Sequence, residues 1–158
     1  MVNFLKGDIL TLKSPDNIIV HQVNCQGVMG AGLAKQIRAN YPVVYQTYKD
    51  EIDRRKQARD RFSSVDGYGM LGKIQVVHTD GPTIINLFAQ NYYGRDKQYT
   101  DYTAFKSCLK TVNTLFKGKT ISIPWGIGCG LAGGDWDKIL SLIKGCLQDC
   151  TVNIYKLN

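Results

Sequence analysis

The chain has 158 residues, 44% of them hydrophobic and 21% charged, and this balance excludes an intrinsically disordered protein. Lys and Arg outnumber Asp and Glu by 20 to 13, and the formal net charge of +7 favours anionic partners such as nucleotides, nucleic acid or acidic metabolites. No apolar run approaches membrane-spanning length and the sequence starts without a signal-peptide pattern, so we expect no membrane association. The length predicts a single domain over residues 1–158.

The first half of the sequence alternates short apolar runs with helical patterns. Strands are predicted over Val2–Lys6 and Ile18–Val23, and the second of these reads as an interior strand because it is apolar almost throughout. Helical spacing starts at Leu33 and stops at Tyr41-Pro42, and a further helix is predicted over Val43–Lys56. A basic run over residues 54–61 follows, and we interpret it as a solvated helix end rather than a nucleic-acid contact.

The second half begins with a hairpin and returns to alternation. Lys73–His78 and Thr83–Phe88 are predicted strands joined by a turn at residues 79–82. Asp101 is a predicted helix N-cap, and apolar spacing continues to Phe116. The remaining predicted elements are a strand over Ile121–Pro124, a helix over Trp136–Leu147 and a strand over Val152–Leu157.

Two glycine-rich turns each connect a predicted strand to a predicted helix. The first glycine turn, residues 24–33, reads Asn-Cys-Gln-Gly-Val-Met-Gly-Ala-Gly-Leu, and the second glycine turn, residues 126–134, contains five glycines. Backbone N–H groups in such turns can surround an anion, so the pair predicts a phosphate-bearing ligand held from two sides. The G-x-x-G-x-G spacing of the first turn differs from the G-x-G-x-x-G dinucleotide fingerprint. We therefore rank a dinucleotide-binding interpretation low.

The alternation of strands and helices predicts an α/β fold with a mostly parallel sheet between helical layers. In such sheets ligands bind beyond the carboxyl ends of the strands, where both glycine turns would lie.

Three segments of the sequence resemble the macrodomain, the ADP-ribose-binding fold. They are Lys6-Gly7-Asp8-Ile9, the first glycine turn, and Ile127-Gly128-Cys129-Gly130-Leu131, and their order and spacing match over nearly the whole chain. The resemblance implies a three-layer α/β/α sandwich with a central mixed, mostly parallel sheet of about six strands. Within the family, the chain is most similar to yeast-type ADP-ribose 1''-phosphate phosphatases and to terminal ADP-ribose protein glycohydrolases, including relatives that act on ADP-ribosylated DNA.

The resemblance also implies binding roles for individual residues. Asp8 would accept a hydrogen bond from the adenine amino group with Ile9 beside it, and Asn24 would contact the distal ribose. Tyr155 and Leu157 would wall the adenine side. The residues implied to wrap the diphosphate and distal ribose are Cys25, Gly27, Val28, Met29, Gly30, Ala31, Gly32, Leu33, Gly126, Ile127, Gly128, Cys129, Gly130 and Leu131.

Three positions depart from the catalytic patterns of the family. The glycohydrolase branch uses a lysine where this chain has Gln90, and its partner aspartate falls at Ala132. A different hydrolytic branch uses an aspartate in the first loop, at the position of Ala34. The resemblance therefore argues against a lysine-dependent reaction.

His21, Asn24 and Asp135 remain as the predicted catalytic residues. A histidine exchanges protons near neutral pH, yeast-type phosphatases also carry one at this position, and Asp135 could orient or deprotonate a water. For His21 a buried structural role is an equal alternative, and for Asp135 a helix N-cap role is favoured over that of a catalytic base. The predicted function is hydrolysis of ADP-ribose 1''-phosphate to ADP-ribose and phosphate; the alternatives are removal of ADP-ribose from protein or DNA, and non-catalytic binding.

Two further features allow more than one interpretation. Cys25 and Cys129 lie in the glycine turns, but no neighbouring histidine would activate them, so backbone roles are favoured over nucleophilic ones. Residues 89–100 are rich in tyrosine and basic residues, which predicts a lid over the distal ribose, a nucleic-acid contact or ordinary loop packing, in that order.

The remaining expectations concern partners and surroundings. ADP-ribose or its 1''-phosphate is the expected ligand, nucleic acid is possible but not favoured, and a monomer is the default. Five cysteines without an export signal predict reduced thiols and a cytoplasmic or nucleocytoplasmic protein. With two histidines and no Cys-x-x-Cys pair, we expect no metal and no other cofactor.

Overall fold

The structure, a computed structural model, describes residues 1–58 and 63–158. Its regular elements within those ranges are β1 (Val2–Lys6), β2 (Ile18–Val23), α1 (Gly32–Asn40), α2 (Pro42–Gln57), β3 (Ile74–His78), β4 (Thr83–Phe88), α3 (Tyr102–Leu115), β5 (Thr120–Pro124), α4 (Trp136–Cys146) and β6 (Thr151–Lys156). Short 3-10 turns lie at Ile9–Thr11 and Ser64–Asp66.

The six strands described form one sheet in the order β1-β6-β5-β2-β4-β3. The β3–β4 pair is antiparallel and every other neighbouring pair is parallel. The predicted mixed, mostly parallel sheet is therefore confirmed. In this strand order β2 and β5, the strands that precede the two glycine turns, lie side by side.

Helices cover both faces of the sheet, and β2 shows why. Ile18 and Val20 point into the apolar cluster with α3 and α4, whereas Ile19 and Val23 point into the cluster with α1 and α2. Successive side chains of a strand face opposite sides, so an almost wholly apolar strand needs cover on both. The predicted three-layer α/β/α sandwich is confirmed.

Several predicted boundaries move by a residue or two. α2 begins at Pro42 rather than after it, because proline at the first helical position loses no intrahelical hydrogen bond. β6 ends at Lys156, so Leu157 lies beyond the strand with 67% of its surface exposed. Of the predicted basic run, Arg54 and Arg55 lie in α2 and both pair with Glu51, whereas residues 59–61 lie outside the described residues.

Candidate functional site

The two glycine turns open onto one pocket of about 480 Å³ at the carboxyl ends of β2 and β5. This convergence follows from the sheet order, because turns that leave adjacent parallel strands emerge at the same edge. The pocket is lined by His21, Gln22, Val23, Asn24, Val28, Met29, Gly30, Ala31, Gly32, Leu33, Ala34, Gln90, Tyr93, Gly94, Arg95, Pro124, Trp125, Gly126, Ile127, Gly128, Gly130, Leu131 and Ala132.

The pocket lining carries almost no ionised side chains. Among the described lining residues, Arg95 is the one with a permanent charge, and none is Asp, Glu or Lys. A cavity of glycine backbone, uncharged side chains and one arginine suits an anion, because no carboxylate repels it and backbone N–H groups can donate to it.

Tyr48 of α2 supports the first glycine turn from beneath. Its buried hydroxyl accepts hydrogen bonds from the N–H groups of Gly27 (3.0 Å) and Val28 (3.1 Å). The same hydroxyl lies 2.8 Å from the carbonyl oxygen of Asn24 and 2.7 Å from its Oδ1, to which it donates. Burial raises the pKa of Tyr48, so the hydroxyl keeps its proton and serves as a neutral anchor for the turn.

Asn24 lines the pocket, but its side chain also holds the turn together. Its Nδ2 donates to the carbonyl of Val28 at 2.8 Å, and its Oδ1 accepts from the N–H of Gln26 at 2.9 Å. The amide thus shapes the backbone that faces the pocket. Its predicted contact with the distal ribose stays a prediction.

The second glycine turn needs glycine at two positions for steric reasons. Gly128 has a φ of +74°, and a Cβ placed there would lie 2.8 Å from Oε1 of Gln22. A Cβ on Gly134 would lie 2.6 Å from the carbonyl oxygen of Gly128, which accepts the N–H of Gly134 at 2.8 Å. The turn is therefore closed against itself as well as against β2.

A polar cluster joins β2 to the second turn and to the loop at residues 89–100. Nε2 of Gln22 donates to Oε1 of Gln90 at 2.8 Å and to Oγ1 of Thr100 at 2.9 Å. The Thr100 hydroxyl in turn donates to the carbonyl of Gly128 at 2.6 Å. Gln90, for which the resemblance implied the position of the glycohydrolase branch's lysine, is therefore part of a hydrogen-bonded cluster of neutral groups.

His21 is buried, and its ring orientation is set by a chain of amides across the sheet. Its Nε2 lies 2.5 Å from Oδ1 of Asn86, whose Nδ2 donates to Oε1 of Gln75 at 3.0 Å. Nε2 of Gln75 donates to the carbonyl of Thr47 at 3.2 Å. The Thr47 carbonyl can only accept a hydrogen bond, so Gln75 must turn Nε2 towards it and Oε1 towards Asn86. Asn86 must then turn Oδ1 towards His21, so Nε2 of His21 carries the proton.

The opposite ring nitrogen of His21 is an acceptor. Among the described residues its Nδ1 has no hydrogen-bond partner. Burial lowers the pKa of His21 to about 4, partly offset by the hydrogen bond to Asn86, so the imidazole is neutral at pH 7. His21 can accept a hydrogen bond near the pocket at neutral pH, but it is not charged there as a general acid would be.

Most of the residues predicted to wrap the diphosphate line the pocket. Of that set, Val28, Met29, Gly30, Ala31, Gly32, Leu33, Gly126, Ile127, Gly128, Gly130 and Leu131 line the pocket, together with His21 and Asn24. Cys25 and Gly27 lie behind the first turn, where Gly27 contacts α2, and Cys129 is likewise outside the lining.

The predicted adenine-side residues lie beside the pocket wall rather than in its lining. The carbonyl of Tyr155 accepts the N–H of Trp125, a lining residue, at 2.8 Å. A Cβ on Gly7 would lie 4.0 Å from the Tyr155 ring, so Asp8 and Ile9 are close by. The Asp8 carboxylate accepts the N–H of Leu10 at 2.9 Å and can accept a further bond.

Asp135 lies outside the pocket lining. It is the N-cap of α4, and its carboxylate accepts the N–H of Asp137 at 2.9 Å. The N-cap role that the sequence favoured for Asp135 is thus confirmed. Its predicted role in activating a water stays a prediction.

The cysteines of the glycine turns are protonated thiols. Burial raises the pKa of Cys25 to about 12 and that of Cys129 to about 11. A thiol with so high a pKa holds almost no thiolate at pH 7, which favours the backbone interpretation of both residues. All five cysteines lie in the described part of the chain and are free.

Sequence reasoning missed several lining residues or placed them only loosely. Tyr93 and Arg95 come from the loop that was predicted as a lid, and both line the pocket. Gln22 and Trp125 flank the predicted catalytic histidine and the second turn without having been assigned a role. For Gln22 and Trp125 the available signal was positional, because both lie at the carboxyl end of a strand.

Within residues 1–58 and 63–158, no three His, Cys, Asp or Glu side chains cluster as a metal site would require. No helix in the same ranges is both long and apolar enough to cross a bilayer.

The comparisons agree with this architecture. The family model described as Macro domain matches residues 20–143, and the chain belongs to that family. The resemblance seen in the sequence is thus confirmed.

Curated relatives fall into more than one class. An uncharacterized 17.5 kDa protein of phage T4 is 28% identical over 94% of this chain and 88% of its own length. A DNA ADP-ribosyl glycohydrolase of Mycobacterium tuberculosis is 28% identical over 94% of this chain, which spans only 39% of that protein. An ADP-ribose 1''-phosphate phosphatase of Scheffersomyces stipitis is 24% identical over 98% of this chain and 99% of its length.

Solved structures show the same fold. The macrodomain of Mycobacterium tuberculosis DarG has a TM-score of 0.75 and 25% identity, covering 100% of this chain and 99% of that one. Thermosipho africanus DarTG in complex with ADP-ribose has a TM-score of 0.71 and 20% identity, covering 97% of this chain and 41% of that one.

Proposed function

We propose that the pocket binds ADP-ribose, with the diphosphate between the two glycine turns. The observation that carries this proposal is the convergence of both turns on one cavity whose described lining contains no carboxylate. A diphosphate can be neutralised there by backbone N–H groups and Arg95. The adenine would lie on the Trp125 side, next to Asp8, Ile9 and Tyr155.

We further propose that the protein hydrolyses the 1''-phosphate of ADP-ribose 1''-phosphate. Support comes from coverage, because the Scheffersomyces stipitis phosphatase aligns over 99% of its length whereas the mycobacterial glycohydrolase aligns over 39%. The pocket chemistry agrees, because Gln90 and Ala132, both in the lining, provide neither of the ionisable groups of the lysine-dependent branch.

The proposed reaction requires few catalytic side chains. Water adds to phosphorus, the bond from phosphorus to the C1'' oxygen breaks, and the water proton ends on the departing hydroxyl. Such transfers depend mainly on positioning and on donors aimed at the phosphoryl oxygens. In this scheme Nδ1 of His21 accepts a hydrogen bond from the attacking water and thereby orients the water. The imidazole ring stays neutral beside the phosphate anion.

Phosphate release from ADP-ribose 1''-phosphate tests the reaction, with calorimetric binding of ADP-ribose measured beside it. Wild-type protein is expected to do both. His21→Ala is expected to retain binding and to lose phosphate release by about 10²-fold or more, the usual contribution of an oriented acid–base group. Tight binding without turnover in the wild type would contradict the reaction and leave the binding proposal intact.

Removal of ADP-ribose from DNA is the second candidate. The 28% identity to the mycobacterial DNA ADP-ribosyl glycohydrolase favours it, as does the net charge of +7. Incubation with ADP-ribosylated single-stranded DNA, followed on a gel, distinguishes the two. Release of free ADP-ribose from the DNA at a rate above that of phosphate release would replace the phosphatase proposal.

A further inference from the structure

We propose that Gln22 is a ligand-binding residue whose Oε1 accepts a hydrogen bond from a hydroxyl of the distal ribose. This inference rests on the proposed binding of ADP-ribose. It makes Gln22 the residue by which the pocket distinguishes ADP-ribose from nucleotides that end at the diphosphate.

The orientation of the Gln22 amide is fixed from two sides. The Thr100 hydroxyl donates its proton to the carbonyl of Gly128, so towards Gln22 it can only accept. Gln90 donates its Nε2 to the carbonyl of Tyr92 at 2.9 Å, so its Oε1 is the atom that faces Gln22. Both neighbours therefore require Nε2 of Gln22 as donor, and Oε1 must point the other way.

That Oε1 atom is buried and has no hydrogen-bond partner among the described residues. An unpaired buried acceptor destabilises the folded state because it has lost its hydration, so a native structure usually provides a partner for it. Gln22 lines the pocket, and Oε1 lies where a Cβ on Gly128 would fall. Because Gly128 has no side chain, no Cβ fills the space beside Oε1, and we assign the missing donor to a ligand in the pocket.

The chemistry of the pocket identifies the class of donor. The glycine turns and Arg95 supply donors that can bind the diphosphate. Phosphate oxygens are themselves acceptors, so they cannot pair with Oε1 of Gln22. In ADP-ribose, the groups that follow the diphosphate are the hydroxyls of the distal ribose. A ribose hydroxyl is both donor and acceptor, so it is the part of the ligand that can satisfy Oε1.

Calorimetric affinities for ADP-ribose and for ADP, which lacks the distal ribose, test the proposal in the wild type and in Gln22→Met. Methionine keeps the length of the side chain and removes both polar atoms. Wild-type protein is expected to prefer ADP-ribose to ADP. In Gln22→Met that preference is expected to fall about five- to tenfold through weaker ADP-ribose binding, with ADP binding unchanged.

Gln98→Met is the matched control, because Gln98 donates to the carbonyl of Thr100 at 3.0 Å but does not line the pocket. It should keep the wild-type preference. An unchanged preference in Gln22→Met would overturn the role of Gln22 alone, whereas failure of the wild type to bind ADP-ribose would overturn the proposed function.

A measurement on the wild type keeps the test independent of the variant's folding. The side-chain amide resonances of Gln22 should shift on saturation with ADP-ribose and not with ADP. Equal shifts with both ligands, or none with either, would contradict a contact with the distal ribose.

Discussion

His21 shows how one backbone carbonyl determines the protonation of a distant ring. The carbonyl of Thr47 orients Gln75, Gln75 orients Asn86, and Asn86 fixes the proton on Nε2 of His21. Each strand in this chain contributes one polar side chain at a paired register position, because β2 pairs with β4 and β4 with β3. This chain fixes the tautomer of the ring, with Nδ1 as the acceptor, and burial keeps the ring neutral.

This neutrality predicts a specific pH dependence of stability. The unfolded imidazole titrates near pH 6.5 and the folded one near 4, so between these values the unfolded chain binds more protons. The free energy of unfolding should therefore fall as the pH is lowered from 6.5 to 4, by at most about 3 kcal/mol from His21.

Urea denaturation at a series of pH values measures this effect in the wild type, in His21→Gln and in His78→Gln. The slope between pH 4 and 6.5 should become smaller in His21→Gln and should stay unchanged when His78, the exposed histidine, is replaced. Equal slopes in the wild type and His21→Gln would show that His21 titrates alike in both states.

Tyr48 gives a second prediction for a single residue. Tyr48→Phe removes the acceptor of the Gly27 N–H and leaves the Val28 N–H only a long bond of 3.4 Å to Oδ1 of Asn24, which should cost about 1–3 kcal/mol in the free energy of unfolding and weaken ADP-ribose binding. Tyr45→Phe, on the same helix, loses one long bond of 3.3 Å to the carbonyl of Gly27 and should cost less. Denaturant midpoints that rank the two variants the other way would contradict the anchoring role of Tyr48.

Single residues were only partly predictable from the sequence. That Asn24 and His21 matter near the site follows from their position after an apolar strand. Which atom of each faces the ligand does not follow, because Asn86, Gln75 and Tyr48 are remote in sequence. Long-range side-chain hydrogen bonds have no local signature.

Among the elements, the second glycine turn allows the sharpest experiment. Gly130 lines the pocket, needs no positive φ, and a Cβ there would meet no atom within 4 Å. Gly130→Asp should therefore fold normally while placing a negative charge where the diphosphate is proposed to bind. We expect at least tenfold weaker ADP-ribose binding with an unchanged melting temperature.

Two further variants separate charge from bulk in this experiment. Gly130→Asn is nearly isosteric with Gly130→Asp and should bind more tightly than it. Gly145→Asp, in α4 and outside the pocket lining, also has open space for a Cβ and should bind like the wild type. Undiminished binding by Gly130→Asp would place the diphosphate elsewhere.

The elements themselves were largely readable from the sequence. Strand β4 is buried at every position and β2 at all but Gln22, so both appear as apolar runs interrupted by only two polar residues each. Asp101 caps α3 as predicted, through the N–H of Ala104 at 2.9 Å. Ends such as Lys156 moved because termination depends on partner strands and caps rather than on composition.

At the scale of the whole molecule, the site depends on the neighbourhood of β2 and β5. These strands are about 100 residues apart in the chain, yet they pair in parallel at Ile19 and Ser122. The glycine pattern and the parallel-sheet rule predicted that both turns hold one phosphate-bearing ligand, but not that β2 and β5 are neighbours, because strand order is not encoded in any local pattern. The pocket is thus a product of topology more than of either turn.

Amide chemical shifts during a titration with ADP-ribose test this convergence most directly. The backbone N–H groups of Gly30 and Gly32 in the first turn, and of Gly126, Gly128 and Gly130 in the second, should shift along one common binding curve, while that of Gly145 stays in place. Shifts confined to one turn, or two curves with different affinities, would contradict a single ligand held between both turns.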